Sequence, residues 1–324
     1  MIRFLKWHFF QLRLVFRLKK WYHVQEDEIY YQYYKDSDTP KPKKKQIVFL
    51  VDGRTIHGGL ADRFKGIVST YAYCKQHKID FRLEYNYPFQ LSDYFSPNKV
   101  DWKISEEEIC YNPKFAHPIM VNSHQLDVCY HNLYLWLESH KTQQLHVYGN
   151  SDAAYDQFSE LFNELFKPSS LLQQHIEDNL RAIGNKYISA TFRFQQLLGD
   201  LKEGHYPTLN DEDKQKLIDK CHLQLELLHN EYPNKMVLVT ADSNTFLDSV
   251  RNLPYIYVIP GTVVHMDYTP DASYMVYEKS FLDFLLIANA DKIHLVYNNQ
   301  MYKSGFPRLA SKVYNKTYQE IFFK

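Results

Sequence analysis

The residues best suited to chemistry sit in four short stretches: DGRTIHGGLADR (52–63), TFRFQQLLGD (191–200), TADSNTF (240–246) and YNNQMYKSGFP (297–307). Each follows a run of β-forming apolar residues. Arg193 can grip two phosphate oxygens in fork geometry, or make an ion pair at an edge strand. His57, Asp200 and Glu203 are groups that can take a proton from a hydroxyl. Gly58 and Gly59 stand between an apolar run and an amphipathic one. That order lets a backbone come close to an anion at a helix start, and it also makes a plain tight turn.

Known phosphate loops are excluded. A P-loop beginning at Gly53 has Gly58 in place but then needs Lys and Ser or Thr, where the chain has Gly59 and Leu60. The dinucleotide pattern G-x-G-x-x-G is not matched either. Two D-x-D matches, Asp36-Ser37-Asp38 and Asp211-Glu212-Asp213, follow no strand and read as solvated charge, the second at the polar start of a helix. The four cysteines, Cys74, Cys110, Cys129 and Cys221, form no C-x-x-C pair, which argues against a zinc site or a disulfide framework. Basic and acidic residues balance at 38 each, so no global field recruits nucleic acid.

The elements that must position these groups alternate. Strands are expected at 47–51, 81–85, 144–149, 186–194, 235–242, 255–260 and 292–297. Leu60, Phe64, Ile67, Tyr71 and Cys74 line one face of a helix, as do Tyr155, Phe158, Leu161, Phe162 and Leu165. Further helices are expected from 210, over 243–252 and 276–289, and from about Arg308. Residues 88–140 carry no clear period. Alternation predicts an α/β protein with parallel sheets covered on both faces, and a break near 167–185 divides it in two. The expected domains are 47–170, on the acceptor side, and 171–324, which binds nucleotide, after an N-terminal helix and linker over 1–46. Ligands in such folds bind at the carboxyl ends of strands, where the four stretches lie.

Together the stretches resemble the GDP-fucose-dependent fucosyltransferases and their bacterial relatives, which include the enzymes for core α-1,6-fucose, nodulation factors and protein O-fucosylation. HGGLADRFKGI looks like the glycine motif of that family. SATFRF sits where they carry a strand-end arginine, VTADS resembles the acidic second motif, and FLDFLLIANAD with YKSGFPRLA resembles the third region. The resemblance runs from about Ile47 to the end. It implies a GT-B fold, two Rossmann-like domains facing across a cleft, and inverting transfer from GDP-fucose without a metal. By the same resemblance Arg193 grips phosphate, while Ser304, Gly305 and Phe306 complete the cradle, with Gly58 and Gly59 also on the donor. Asp242, Ser243 and Asp283 face ribose or guanine. The family pattern begins with His and has an acid three residues after the arginine; here these are Thr191 and Gln196. Asp200 is therefore the expected base, ahead of Glu203 and His57. The donor could instead be another nucleotide sugar, or the chain a non-catalytic carbohydrate-binding protein of the same fold.

The first 24 residues, MIRFLKWHFFQLRLVFRLKKWYHV, carry six Lys or Arg and no acid. Leu5, Phe9, Leu12 and Phe16 recur at helical spacing, in apolar runs far too short to span a bilayer. This is the pattern of a basic amphipathic helix on an anionic membrane, and equally of a solvated helix packed on its own domain. DTPKPKKKQ (38–46) reads as an extended linker. The expected setting is cytoplasmic, peripheral on the inner leaflet, beside a lipid-linked glycan acceptor.

Overall fold

The computed structural model describes residues 24–121, 133–184, 186–200, 206–264, 266 and 273–324. The basic segment up to residue 23, Glu203 and Cys129 lie outside the described residues. Two compact units divide the chain: unit 1 comprises Met1–Leu91 with Pro97–Phe166, and unit 2 comprises Ser92–Ser96 with Lys167–Lys324.

In chain order the elements through unit 1 are α1 (Val24–Lys35), β1 (Gln46–Val51), α2 (Leu60–His77), β2 (Asp80–Tyr85), β3 (Phe95–Pro97), β4 (Ala116–Val121), α3 (Leu133–Ser139), β5 (Gln144–Gly149) and α4 (Phe158–Leu165). A four-stranded parallel sheet has the order β2-β1-β5-β4. Every residue of β1, QIVFLV, is buried, because helices and loops cover both faces of the sheet. On α2 the predicted stripe of Leu60, Phe64, Ile67, Tyr71 and Cys74 is buried, and so is every other residue from Gly66 to Cys74, because the helix is covered all round there. Gly66 lies so close to the Gly149 carbonyl that a Cβ there would overlap it, which fixes how near α2 approaches β5.

The rest comprises β6 (Phe166–Pro168), α5 (Ser170–Ile183), β7 (Tyr187–Phe192), α6 (Asp211–Glu231), β8 (Met236–Ala241), α7 (Asn244–Val250), β9 (Ile256–Tyr257), β10 (Lys292–Tyr297) and β11 (Thr317–Phe322), with α8 (Tyr274–Asn289) before β10 and α9 (Phe306–Val313) after it. Strands β3 and β6 form a separate two-stranded sheet. The five-stranded sheet of unit 2 is parallel, in the order β11-β10-β7-β8-β9. Its core gathers Ile188, Ala190, Phe192, Val237, Val239, Phe246 and Val296. Asn210 caps α6 by accepting from the Asp213 N–H at 2.9 Å, so the second D-x-D is an acidic first turn at a helix N-terminus.

Several elements differ from expectation. The presumed break at 167–185 holds α5, capped by Ser169, whose hydroxyl accepts from the Leu172 N–H at 3.3 Å. Residues 116–121 and 133–139, without a period in sequence, form β4 and α3. Edge strand β11 is largely exposed and polar, so it lacks the apolar signal of the central strands. The stretch 38–46 is not an open linker. The Thr39 hydroxyl accepts from the Tyr111 N–H at 2.7 Å, and the Gln46 N–H donates to the Gln143 carbonyl at 3.0 Å. Helix α1 buries Ile29 and Tyr33 among Val48, Leu50, Ile109 and Tyr148. No described helix is long and apolar enough to cross a membrane.

Candidate functional site

In unit 2 the chain runs from β7 outward through β8 to β9, then returns to place β10 and β11 on the other side of β7. The crevice beyond the carboxyl ends of β7 and β10 is therefore a topological switch point, the usual place for a ligand in an open parallel sheet. Arg193 leaves the end of β7 with a quarter of its side chain exposed, and its Nη1 lies 3.2 Å from Asp242 Oδ2. Asp242, buried at the end of β8, accepts from the backbone N–H groups of Phe194 at 2.7 Å and Gln195 at 2.6 Å. Gln195 is left-handed at φ 54°, a conformation costing on the order of 1–3 kcal/mol unless its surroundings hold it. The Asp242 carboxylate holds it. Its oxygens are thus engaged with the protein backbone as well as with Arg193.

Across the switch point the Tyr302 N–H donates to the Arg193 carbonyl at 3.0 Å, tying the loop after β10 to the end of β7. That loop leads to Ser304, whose hydroxyl accepts from the Phe306 N–H at 3.2 Å, and to Gly305 at the start of α9. Phe306 packs edge-on against Phe284. Arg193, Asp242 and the 302–306 segment are therefore brought to one end of the sheet. Asp200 lies close by, but its carboxylate accepts from the Ser243 hydroxyl, from the Thr245 hydroxyl at 2.8 Å and from the Thr245 N–H at 3.1 Å. Ser243 itself caps α7 through the Phe246 N–H at 3.0 Å. Both residues thus secure a helix start. Among the described residues the buried Oε1 of Gln196 has no hydrogen-bond partner. Asp283 sits on α8, buried, with both oxygens on Lys279 Nζ at 2.7 and 2.9 Å. Burial raises its pKa against the pull of Lys279.

His57, Gly58 and Gly59 belong to unit 1. His57 Nε2 accepts from the N–H groups of Asp52 at 3.2 Å and Gly53 at 3.1 Å, so the ring proton is on Nδ1. Burial first, then the charge of Arg63, lowers its pKa to about 3. His57 is thus a neutral staple for the turn, and the lone pair a base needs is in use. Gly58 adopts φ 73°, open to glycine at no steric cost. Gly59 stands at the N-cap of α2 with open space where a Cβ would go. Buried Arg63 closes the turn from below: Nε donates to the Gly58 carbonyl at 2.9 Å, and Nη1 to Tyr85 Oη and the Tyr87 carbonyl at 2.8 and 2.9 Å.

Sequence reasoning missed Arg63 and also a polar layer at the ends of β1, β2 and β5. Asp52 accepts from Arg54 Nη1 at 2.6 Å, the Arg54 N–H at 3.1 Å and Tyr148 Oη at 2.8 Å. Arg54 Nη1 also donates to Tyr111 Oη at 3.0 Å. Deeper, Tyr33 hydrogen-bonds His146 Nδ1, and His146 Nε2 donates to Gln144 Oε1 at 2.6 Å. The available signal was period two: residues 144, 146 and 148 on β5 are polar or aromatic and share one face. Among the described residues, no group of three His, Cys, Asp or Glu side chains is placed to hold a metal ion.

No protein-family model and no curated protein matches the chain. Solved structures of like fold do. The fucosyltransferase NodZ from Bradyrhizobium aligns at TM-score 0.57 and 13% identity, over 83% of this chain and 93% of its own. A NodZ α-1,6-fucosyltransferase soaked with GDP-fucose aligns at 0.56 with the same identity and coverage. A mutant of Arabidopsis thaliana FUT1 in complex with GDP aligns at 0.55 and 11% identity, over 92% of this chain and 74% of its own. At these identities the likeness establishes the fold: this chain has the α/β fold of those fucosyltransferases, the one expected above as GT-B.

Proposed function

We propose that this protein is an inverting, metal-independent glycosyltransferase that moves fucose from GDP-fucose to a glycan hydroxyl. The observation that carries the reading is the switch point of unit 2. There Arg193, braced by Asp242, is joined through its carbonyl to the loop that leads to Ser304 and α9. When a nucleoside diphosphate departs, negative charge builds on its β-phosphate, and fixed donors in a site dry enough to strengthen them can stabilise it. Arg193 supplies a guanidinium, and the start of α9 adds the positive end of a helix dipole. One structure of the same fold was soaked with GDP-fucose and another is a complex with GDP, which supports this nucleotide.

In this reading the acceptor is a bacterial surface glycan, lipid-linked, met on the cytoplasmic leaflet. The basic, aromatic run before residue 24 supports that setting through its charge and its helical apolar spacing. A second reading, a non-catalytic glycan-binding protein of the same fold, is favoured by Gln196 in place of an acid.

Titration calorimetry with GDP, UDP and CMP, followed by transfer assays over a panel of nucleotide sugars, separates these. GDP should bind most tightly, and transfer should persist in excess EDTA. UDP or CMP binding well above GDP removes the donor assignment. Loss of transfer on chelation, restored by manganese, removes metal independence. Glycan binding without any nucleotide binding supports the second reading.

A further inference from the structure

Resting on the transferase reading above, we infer that Tyr302 is the residue of unit 2 that selects the donor's hexose, its ring carrying the apolar face of a 6-deoxy sugar beside the phosphates gripped by Arg193. Tyr302 lies in the loop that leaves the carboxyl end of β10, and its N–H donates to the Arg193 carbonyl at 3.0 Å. The two residues therefore stand side by side at the switch point, where a ligand meets an open parallel sheet. Both belong to unit 2, so their placement is fixed inside one compact body.

The backbone on either side of Tyr302 is held firmly. Asn298 Oδ1 accepts from the N–H groups of Gln300 at 3.0 Å and Met301 at 3.1 Å, and Met301 is buried in the core of the unit. On the other side Lys303 Nζ meets Glu320 at 2.6 Å and lies over the Tyr297 ring, 5.6 Å from its centroid. The side chain of Tyr302 is not held. The residue is 50% exposed, and among the described residues its ring and hydroxyl make no hydrogen bond and no ring contact. A solitary exposed tyrosine by itself signifies nothing. This one is displayed on an anchored loop and tied through its own N–H to the residue that carries the phosphate-binding guanidinium.

The chemistry next to a diphosphate differs on its two sides. The ribose side is rich in hydroxyls and calls for acceptors. Here the carboxylates near Arg193 are committed, Asp242 to two backbone N–H groups and Asp200 to Ser243 and Thr245. An uncharged ring instead suits a surface of C–H groups, and its hydroxyl can reach a sugar hydroxyl at the edge. A 6-deoxyhexose offers such a surface in its ring C–H groups and its methyl. Covering that methyl is favourable, whereas covering the hydroxymethyl of an ordinary hexose takes a hydroxyl out of water.

The test is Tyr302→Ala, which keeps the N–H bonded to Arg193, with Tyr302→Phe as the variant that keeps the ring. Calorimetry without acceptor measures binding of GDP and of GDP-fucose. Steady-state kinetics compares GDP-fucose with GDP-L-galactose, which differs from it by a hydroxyl on the methyl carbon. Tyr302→Ala should bind GDP-fucose roughly tenfold more weakly, the worth of one good aromatic contact, with GDP affinity and melting temperature unchanged. Its preference for GDP-fucose over GDP-L-galactose in kcat/KM should narrow, and Tyr302→Phe should keep both the affinity and the preference. An equal loss for GDP and GDP-fucose puts the ring on the nucleotide and overturns the assignment. So does unchanged GDP-fucose binding, an unchanged preference, or a loss in Tyr302→Phe as large as in Tyr302→Ala. Each of these leaves the GDP reading intact, whereas a wild-type protein that binds no GDP overturns both.

Discussion

Arg193 owes its position to Asp242, which fixes the turn after β7 with two backbone hydrogen bonds and faces the guanidinium at 3.2 Å. Arg193→Ala should weaken GDP binding by about 1.5–3 kcal/mol, the worth of a hydrogen bond to a charged group, measured by calorimetry. Unchanged affinity would show that the guanidinium does not meet the phosphates. A second residue-scale consequence concerns acid. Burial, and then Arg63 for His57 and Arg54 for His146, hold both pKa values at about 3. Their folded pKa values lie below the unfolded value of about 6.5. As pH falls below 6.5 the unfolded chain takes up protons that the folded one refuses, so stability present above that pH is lost between about 6.5 and 3. By pH 4 each histidine accounts for roughly 3 kcal/mol. Urea unfolding from pH 7 to 4 should show this slope, and His57→Asn should flatten it by one group's share. A variant as steep as the wild type would mean that His57 is protonated in the native state.

Helix α1 and the stretch after it belong to unit 1. Ile29 is fully buried, and Tyr33 reaches His146 beneath the sheet. Ile29→Ala should cost about 2–5 kcal/mol in urea unfolding, as do other large-to-small changes in a packed core. A cost near zero would mean that α1 is only loosely applied. This packing was not visible in the sequence. DTPKPKKKQ has the composition of a solvated tether, and composition cannot reveal that one threonine hydroxyl in it meets the Tyr111 backbone. By contrast α2 was readable, since Leu60, Phe64, Ile67, Tyr71 and Cys74 repeat at three- and four-residue steps. Strand β11 was not, since an edge strand with most residues exposed carries no such repeat.

At the scale of the whole molecule, the basic segment before residue 24 is proposed to place the protein on an anionic surface. Each Lys or Arg near such a surface contributes roughly 1 kcal/mol, and added salt screens it. Removal of residues 1–23 should abolish co-sedimentation with phosphatidylserine vesicles at low salt while leaving GDP affinity and melting temperature unchanged. A truncation at residue 46 is a poor comparison, since it also removes α1 and should lower the melting temperature. Equal vesicle binding with and without residues 1–23 would return that segment to a packing role.

The alternation of buried strands and amphipathic helices, and the loading of strand ends with Arg193, Asp242 and Ser304, were legible from the sequence. Both are local: a period of 2 or 3.6 and a polar residue after an apolar run need no knowledge of distant chain. Which carboxylates are already committed was decided only by the tertiary structure. Asp200 looked like a base because it follows Arg193, yet Ser243 and Thr245, more than forty residues on, donate three hydrogen bonds to it. His57 looked like an acid–base group beside a glycine turn, yet the amides of Asp52 and Gly53 occupy its Nε2. A residue type states what a side chain can do; the partners that fold against it decide which of those capacities remains open.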